Sequence, residues 1–153
     1  MHPALTDTCM ERNERVFVDT NYFVALFNSS DALHREALRV AKEIDAAGAR
    51  LVISNFIFLE TMTVLAQKRG KETAREAGNY LLAGGGIEMI HIDEVLQRSS
   101  WEIFRELREK NVSFVDASII AILKAEDISR LMTFDCEDFK KLARRYSFGI
   151  YAE

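Results

Sequence analysis

The chain has 153 residues, 48% hydrophobic and 29% charged, the balance of one soluble globular domain with ample length for a single core. No apolar run approaches the roughly 20 residues of a membrane-spanning helix, and the opening MHPALTDTCMERNER lacks the apolar stretch of a secretory signal, so a cytoplasmic protein with no membrane contact is expected. The formal charge of −4 argues against bulk electrostatic capture of nucleic acid, so a nucleic-acid role has to come from local motifs.

Residues 1–15 carry the only proline and no clear period, and read as a flexible tail ahead of a domain spanning 16–153. His2 belongs to it, and Met10 allows an extended upstream start. Cys9 falls in it too, while Cys136 reads as a filler residue. Neither cysteine has a CxxC or Cys/His companion, which argues against zinc. Val16–Val18 is the first expected strand, followed by a short helix from Asn21 to about Asn28. Asp31 can cap a second helix bearing Leu33, Ala37, Val40, Ala41 and Ile44 at helical spacing, and Gly48 ends it. Leu51–Ile53 is a second strand, with Ser54 capping a helix over 55–69. Another helix covers 72–82. The Gly84-Gly85-Gly86 turn leads into a third strand, Ile87–Ile90. No GK[ST] follows those glycines, so they form a turn and not a phosphate cradle. Asp93 can cap a long helix with Leu96, Ile103 and Leu107 on one stripe. Asp116 opens an apolar helix through Ala125. Leu131–Thr133 is a fourth strand, 137–145 a short helix, and Phe148–Ile150 a fifth strand.

Short apolar strands separated by helices predict a three-layer α/β/α sandwich with a central five-stranded parallel sheet. In such folds ligands sit outside the carboxyl ends of the strands. Four acids fall there: Asp19 after the first strand, Glu60 in the helix after the second, Asp116 after Phe114-Val115, and Asp135 after the fourth. Glu60 interrupts an apolar helical run with Phe56 and Val64 four positions to either side, and no lysine or arginine stands at a neighbouring helical position. On a buried face such a carboxylate needs a pair or a metal. Converging carboxylates repel and drive pKa values upward, whereas a divalent cation reverses that penalty. All-oxygen ligation suits Mg²⁺ or Mn²⁺, and such an ion supplies a nucleophilic water and stabilises phosphoryl charge.

Each acid also has a structural alternative. Asp116 is a competent N-cap, Asp135 with Asp138 resembles a capping arrangement, Asp19 can form a turn, and Glu60 can be an ordinary surface glutamate. The basic groups Lys68-Arg69-x-Lys71 with Arg75, and Lys140-Lys141 with Arg144-Arg145, are solvated faces or phosphate contacts. The second is the better RNA candidate because it follows Asp135. His34 and His91 read as structural or exposed.

VFVDTNYFVALF, ISNFIFLET, VDASIIAIL and LMTFDCEDF together resemble the PIN domain family, and within it the VapC-type toxins of prokaryotic toxin–antitoxin pairs. The likeness runs from Val16 to Ile150, with D-T-N and T-x-D-x-x-F its specific parts. It implies a Mg²⁺- or Mn²⁺-dependent endoribonuclease that leaves a 3′-hydroxyl and a 5′-phosphate, is silenced by an antitoxin and forms homodimers. By motif, Asp19, Glu60, Asp116 and Asp135 take the family's acidic positions. Asp19 and Asp116 are then direct ligands, Glu60 and Asp135 act through water or orient the nucleophile, and Asn21 and Thr133 support them. Asp138 is an extra acid or a cap. Phe23 and Phe27 read as core, although the toxins receive the antitoxin peptide near that helix. An RNA-processing nuclease without an antitoxin and a catalytically inert binding module stay open. A phosphatase or receiver domain fits less well, since DxD and the partner lysine are missing.

Overall fold

The computed structural model describes residues 13–151. Five strands, β1 (Arg15–Val18), β2 (Arg50–Ser54), β3 (Ile87–Ile90), β4 (Arg130–Met132) and β5 (Gly149–Tyr151), form one all-parallel sheet in the order β3-β2-β1-β4-β5. Among the described residues seven helices cover its two faces: α1 (Thr20–Phe27), α2 (His34–Ala47), α3 (Asn55–Arg69), α4 (Lys71–Leu82), α5 (Glu94–Glu106), α6 (Phe114–Ala125) and α7 (Cys136–Tyr146). The expected α/β/α sandwich with a five-stranded parallel sheet is what the chain forms. The central strand β1 buries Val16, Phe17 and Val18 completely, as a parallel strand covered on both faces must. Along the chain the strands grow outward from β1 to β3, then return to β4 on the other side. That reversal makes the carboxyl ends of β1 and β4 the topological switch point, where crevices open in such sheets.

Local chemistry explains most element boundaries. Ser54 accepts from the Ile57 amide at 3.2 Å and Asp93 from the Leu96 amide at 2.9 Å, each starting its helix as expected. Gly48 closes α2 in the left-handed region at φ 63°. Asp31 does not cap α2. Its carboxylate takes the Leu33 amide at 2.9 Å in a local turn, and the helix starts three residues later without a side-chain cap. Nor does Asp116 open α6: the helix begins at Phe114 behind Ser113. Leu107, expected within the α5 stripe, stands just past its end. β5 starts at Gly149, because the Phe148 amide is drawn to Ala143 O at 3.1 Å as α7 closes. Phe148 then packs against Phe139 in the core, ring centroids 6.5 Å apart.

Of the expected tail, residues 1–12, with His2, Cys9 and Met10, lie outside the described residues. Its last three belong to the fold. Asn13 N–H donates to Gly48 O at 3.1 Å, Glu14 O accepts from the Arg50 amide at 2.7 Å, and Arg15 opens β1.

Candidate active site

The site starts from two strand ends that hydrogen bonds lock together. Asp19 follows β1, and its amide donates to Met132 O on β4 at 2.9 Å. One residue on, Thr133 is completely buried, and its hydroxyl donates to Asp19 Oδ2 at 2.9 Å. The same oxygen accepts from Asn21 Nδ2 at 3.1 Å and from the Asp135 amide at 3.0 Å. One hydroxyl offers one proton and two lone pairs, so Thr133 is saturated. Asn21 Oδ1 accepts from the Phe134 amide at 3.1 Å, which fixes the orientation of its amide group. Asn21 and Thr133 therefore buttress Asp19 and the turn carrying Asp135.

A cleft of about 300 Å³ opens above these strand ends, and Asp19, Glu60, Asp116 and Asp135 all line it. Asp19 is only 6% exposed, and its other oxygen accepts from the Thr20 amide at 2.8 Å. No lysine, arginine or histidine among the described residues pairs with it. Burial pushes its carboxyl up to about 7, helped by the negative charge of Asp116 and opposed by the Thr133 and Thr20 hydrogen bonds.

Asp116 stands at the third position of α6. Its Oδ2 accepts from the Ser113 amide at 2.8 Å, while Ser113 Oγ accepts from the Asp116 amide at 3.1 Å. This reciprocal capping box aims the carboxylate into the cleft. Burial raises its titration against those hydrogen bonds, with Glu60 and Asp138 adding to the rise. Asp135 occupies the N-cap position of α7 without a full side-chain cap, and its carboxyl interacts with both the backbone and the side chain of Asp138. Desolvation, and then the neighbouring Asp138 charge, raise the Asp135 carboxyl. Asp138 itself does not line the cleft, although its charge reaches Asp116 and Asp135.

Glu60 departs from expectation in its burial. α3 carries two stripes. Ile57, Thr61 and Leu65 face the core, whereas Phe56, Glu60, Val64 and Lys68 are partly or fully exposed. Glu60 therefore stands on the cleft wall and not on a buried face. Lys68, two turns further along, is the cationic side chain among the described cleft-lining residues. It belongs to the first basic group, read from the sequence as a solvated face or a phosphate contact, and its i+8 spacing from Glu60 puts it on the same helix face. Asp31, Val24 and Leu33 also line the cleft without having been anticipated. So does Thr20, whose hydroxyl is buried and unpartnered. Ser113 was legible as S-x-x-D ahead of an apolar run.

The second basic group is not brought to the cleft. Lys140, Lys141, Arg144 and Arg145 are all exposed along α7. Lys140 pairs with Glu137 at 3.0 Å, and Arg145 lies over the Tyr146 ring at 5.5 Å. His34 Nδ1 bonds Ala25 O at 2.7 Å in a structural role, and His91 is exposed, both as read from the sequence. A larger groove of about 880 Å³ between α5 and α6 alternates Glu94, Glu102 and Glu106 with Arg98 and Lys124. Acids and bases are interleaved along it, as in the Arg98–Glu94 pair at 3.1 Å, so it gathers no cluster of one sign as a reaction centre would.

Comparison with known proteins follows this geometry. The PIN domain family model matches residues 16–145. The 23S rRNA-specific endonuclease VapC20 of Mycobacterium tuberculosis is 31% identical over 121 residues, covering 78% of this chain and 88% of that one. The VapC ribonuclease of Archaeoglobus fulgidus is 27% identical over 121 residues, covering 77% and 75% respectively. The crystal structure of Mycobacterium tuberculosis VapC20, described as a Sarcin-Ricin loop cleaving toxin, superposes with a TM-score of 0.75 at 28% identity over 83% of this chain and 94% of that one.

Proposed function

The chain belongs to the PIN domain family, and we propose that it is the toxin ribonuclease of a toxin–antitoxin pair, cleaving RNA phosphodiesters with Mg²⁺ or Mn²⁺. The observation that carries this is Asp19: a buried carboxylate with no cationic partner among the described residues, in a cleft shared with Asp31, Glu60, Asp116 and Asp135. Burial of that kind costs several kcal/mol, on the order of a lost ion pair, unless a cation arrives.

The donor set fits a hard ion. It is all oxygen, with neither cysteine nor histidine among the described residues lining the cleft. Among the described residues no three His, Cys, Asp or Glu side chains form a ready-made metal-holding group. An all-oxygen set suits Mg²⁺ or Mn²⁺, which keep several waters and take one or two carboxylates, better than zinc, which favours histidine and cysteine ligands. Asp19 and Asp116 would hold the ion, and Glu60 and Asp135 would act through water. When bound, the ion supplies positive charge to the phosphoryl group and an acidified water. Asp135, whose carboxyl is raised, accepts the proton of the attacking water. A new P–O bond forms as the bond to the 3′ oxygen breaks, and that oxygen takes up a proton. The products are a 3′-hydroxyl and a 5′-phosphate.

Among the described residues no helix is long and apolar enough to cross a membrane, and we place the protein in the cytoplasm with its RNA. The antitoxin docks, in this reading, on the side of α1, α2 and α4. There Tyr80 and Leu82 are exposed and Phe27 meets Tyr80 edge-on at 5.6 Å. The family resemblance also implies a homodimer, which a solution molar mass checks.

Purified protein should cut total RNA with Mg²⁺ or Mn²⁺ and leave it intact with EDTA. Asp116→Asn should lose at least a hundredfold in rate, and growth arrest on expression should be relieved by the same change. Cleavage that persists in EDTA, or in Asp116→Asn, would overturn the mechanism.

A further inference from the structure

Among the described residues, three buried side-chain oxygens have no hydrogen-bond partner: those of Thr20, Thr61 and Tyr146. Thr61 belongs to the core stripe of α3, and Tyr146 ends α7. Neither lines the acidic cleft, whereas Thr20 does. The cause of its orphaned hydroxyl is its place in the chain. A threonine inside a helix turns its hydroxyl back onto a carbonyl of the preceding turn, as Thr63 does with Leu59 O at 2.8 Å. Thr20 is the first residue of α1, so no preceding helical turn offers that carbonyl. Its amide is already given to Asp19 Oδ1 at 2.8 Å, and the residue is only 4% exposed. A hydroxyl shut away from both protein partners and solvent is a cost that native folds rarely carry without a use.

The lining of the cleft shows what kind of atom would satisfy it. Its five acids accept hydrogen bonds and do not donate them when ionised. Its three aliphatic side chains offer nothing polar, and Asn21 is engaged at both its oxygen and its nitrogen. Lys68 and Thr20 are then the two lining side chains with a proton to offer an incoming oxygen. A neutral donor suits a place next to Asp19. A second cation there would compete with the metal ion for the carboxylates, whereas a hydroxyl adds no charge. Threonine in a helix populates two χ1 positions, and a turn between them exchanges hydroxyl and methyl without moving the backbone.

We propose that the Thr20 hydroxyl donates a hydrogen bond to a non-bridging oxygen of the RNA phosphate held in the cleft, and so fixes that phosphate beside Asp19. The inference rests on the ribonuclease reading of the cleft and names a further residue for that reaction. A metal-bound water is the other oxygen that could meet Thr20 here. Waters on a divalent ion donate, however, and five carboxylates stand ready to accept from them. The phosphate needs donors, which this cleft has in short supply. A hydrogen bond to its charged oxygen is also of the stronger kind.

Thr20→Val tests this with a side chain of the same shape that keeps the amide bond to Asp19 and deletes the hydroxyl. In EDTA without RNA its urea midpoint should rise, because the orphaned group is gone. Its Mn²⁺ affinity, measured by calorimetry without RNA, should match the wild type. Its kcat/KM on an RNA oligonucleotide that the wild type cuts should fall about tenfold to a hundredfold, and Thr20→Ser should recover most of that loss. Should Thr20→Val fail to fold, Thr20→Ala against Thr20→Ser makes the same comparison. An unchanged kcat/KM would overturn the proposal. So would a lowered urea midpoint that Thr20→Ser restores, since the hydroxyl would then be bonded within the protein. A fall in Mn²⁺ affinity equal to the loss in kcat/KM would overturn it too, by placing the hydroxyl on the ion's water. Cleavage measured with Asp116→Asn separates the two levels. If it is lost while Thr20→Val cleaves at the wild-type rate, the nuclease reading stands and the phosphate donor falls. If Asp116→Asn still cleaves, the reading falls and the donor with it.

Discussion

Asp19→Asn removes a charge with almost no change in volume, and the consequence for folding can be worked out from the cleft. The Asp19 carboxyl titrates near 7 in the fold against an ordinary 3.8. Between those pH values the native protein holds a proton that the unfolded chain has released, so stability falls as pH rises through that window. The penalty is absent well below pH 3.8 and complete above about pH 7. Three pH units at ~1.36 kcal/mol each amount to about 4 kcal/mol at pH 8. Across pH 5 to 8 the wild type should therefore lose about 2–3 kcal/mol that Asp19→Asn does not. The variant has its own cost. Thr133 already donates to Asp19 and accepts from Asn21 and the Asp135 amide, so an Asn amide facing it meets a saturated oxygen at about 1–3 kcal/mol. That offset is the same at every pH, and the slope is therefore the signal. Urea denaturation in EDTA at four pH values, with m-values compared, measures it. Millimolar Mg²⁺ should then raise wild-type stability at pH 8 and leave the variant unchanged. Parallel stability–pH curves for the two proteins would refute the claim that Asp19 is a buried carboxylate without a compensating charge.

Two further changes probe the supports of the cleft. Thr133→Val deletes the donor to Asp19 and the acceptor of two donors in a fully buried place. It should cost about 2–3 kcal/mol in denaturant melts. Because the lost hydrogen bond had lowered the Asp19 carboxyl, the acid limb of kcat/KM against pH should move upward. Ser113→Ala should cost about 1 kcal/mol of stability. Its cleavage rate, measured where the variant is fully folded, should drop several-fold, because the capping box that aims Asp116 has lost half its bonds.

The fold was legible where one local cause decides a boundary. The runs VFV, LVI and IEMI had to be strands because nothing but a sheet core absorbs them at that length, and Ser54, Asp93 and Gly48 marked helix ends by chemistry that acts within four residues. The misses have equally local causes that compete. Asp31 satisfies the Leu33 amide in a turn and so is unavailable as a cap three residues on. Two capping residues, Ser113 and Asp116, stand at the same helix start. Either alone could start the helix by local chemistry, whereas the capping box uses both. Phe148 looked like strand because it is aromatic and apolar, but α7 claims its amide.

The site was legible in its residue types and not in its geometry. That Asp19 and Asp135 stand at adjacent strand ends follows from strand order, since β1 and β4 are neighbours at the switch point. Which acid would be buried did not follow. Glu60 drew attention because apolar residues flank it in sequence, yet Phe56 and Val64 share its outward stripe, and it is Asp19 that is buried. Nor could sequence show that Asn21, Thr133 and Phe134 close a polar lock across more than a hundred residues of chain. That lock has a physical necessity. Carboxylates crowded into one cleft would drift apart to relieve repulsion if their backbones were free, and the field that draws a cation would weaken with them. Tying the turn after β4 to the start of α1 through saturated hydrogen bonds holds the buried Asp19 beside the turn that carries Asp135. Burial first, and neighbouring acids second, raise both carboxyls, a cost that a divalent ion would offset.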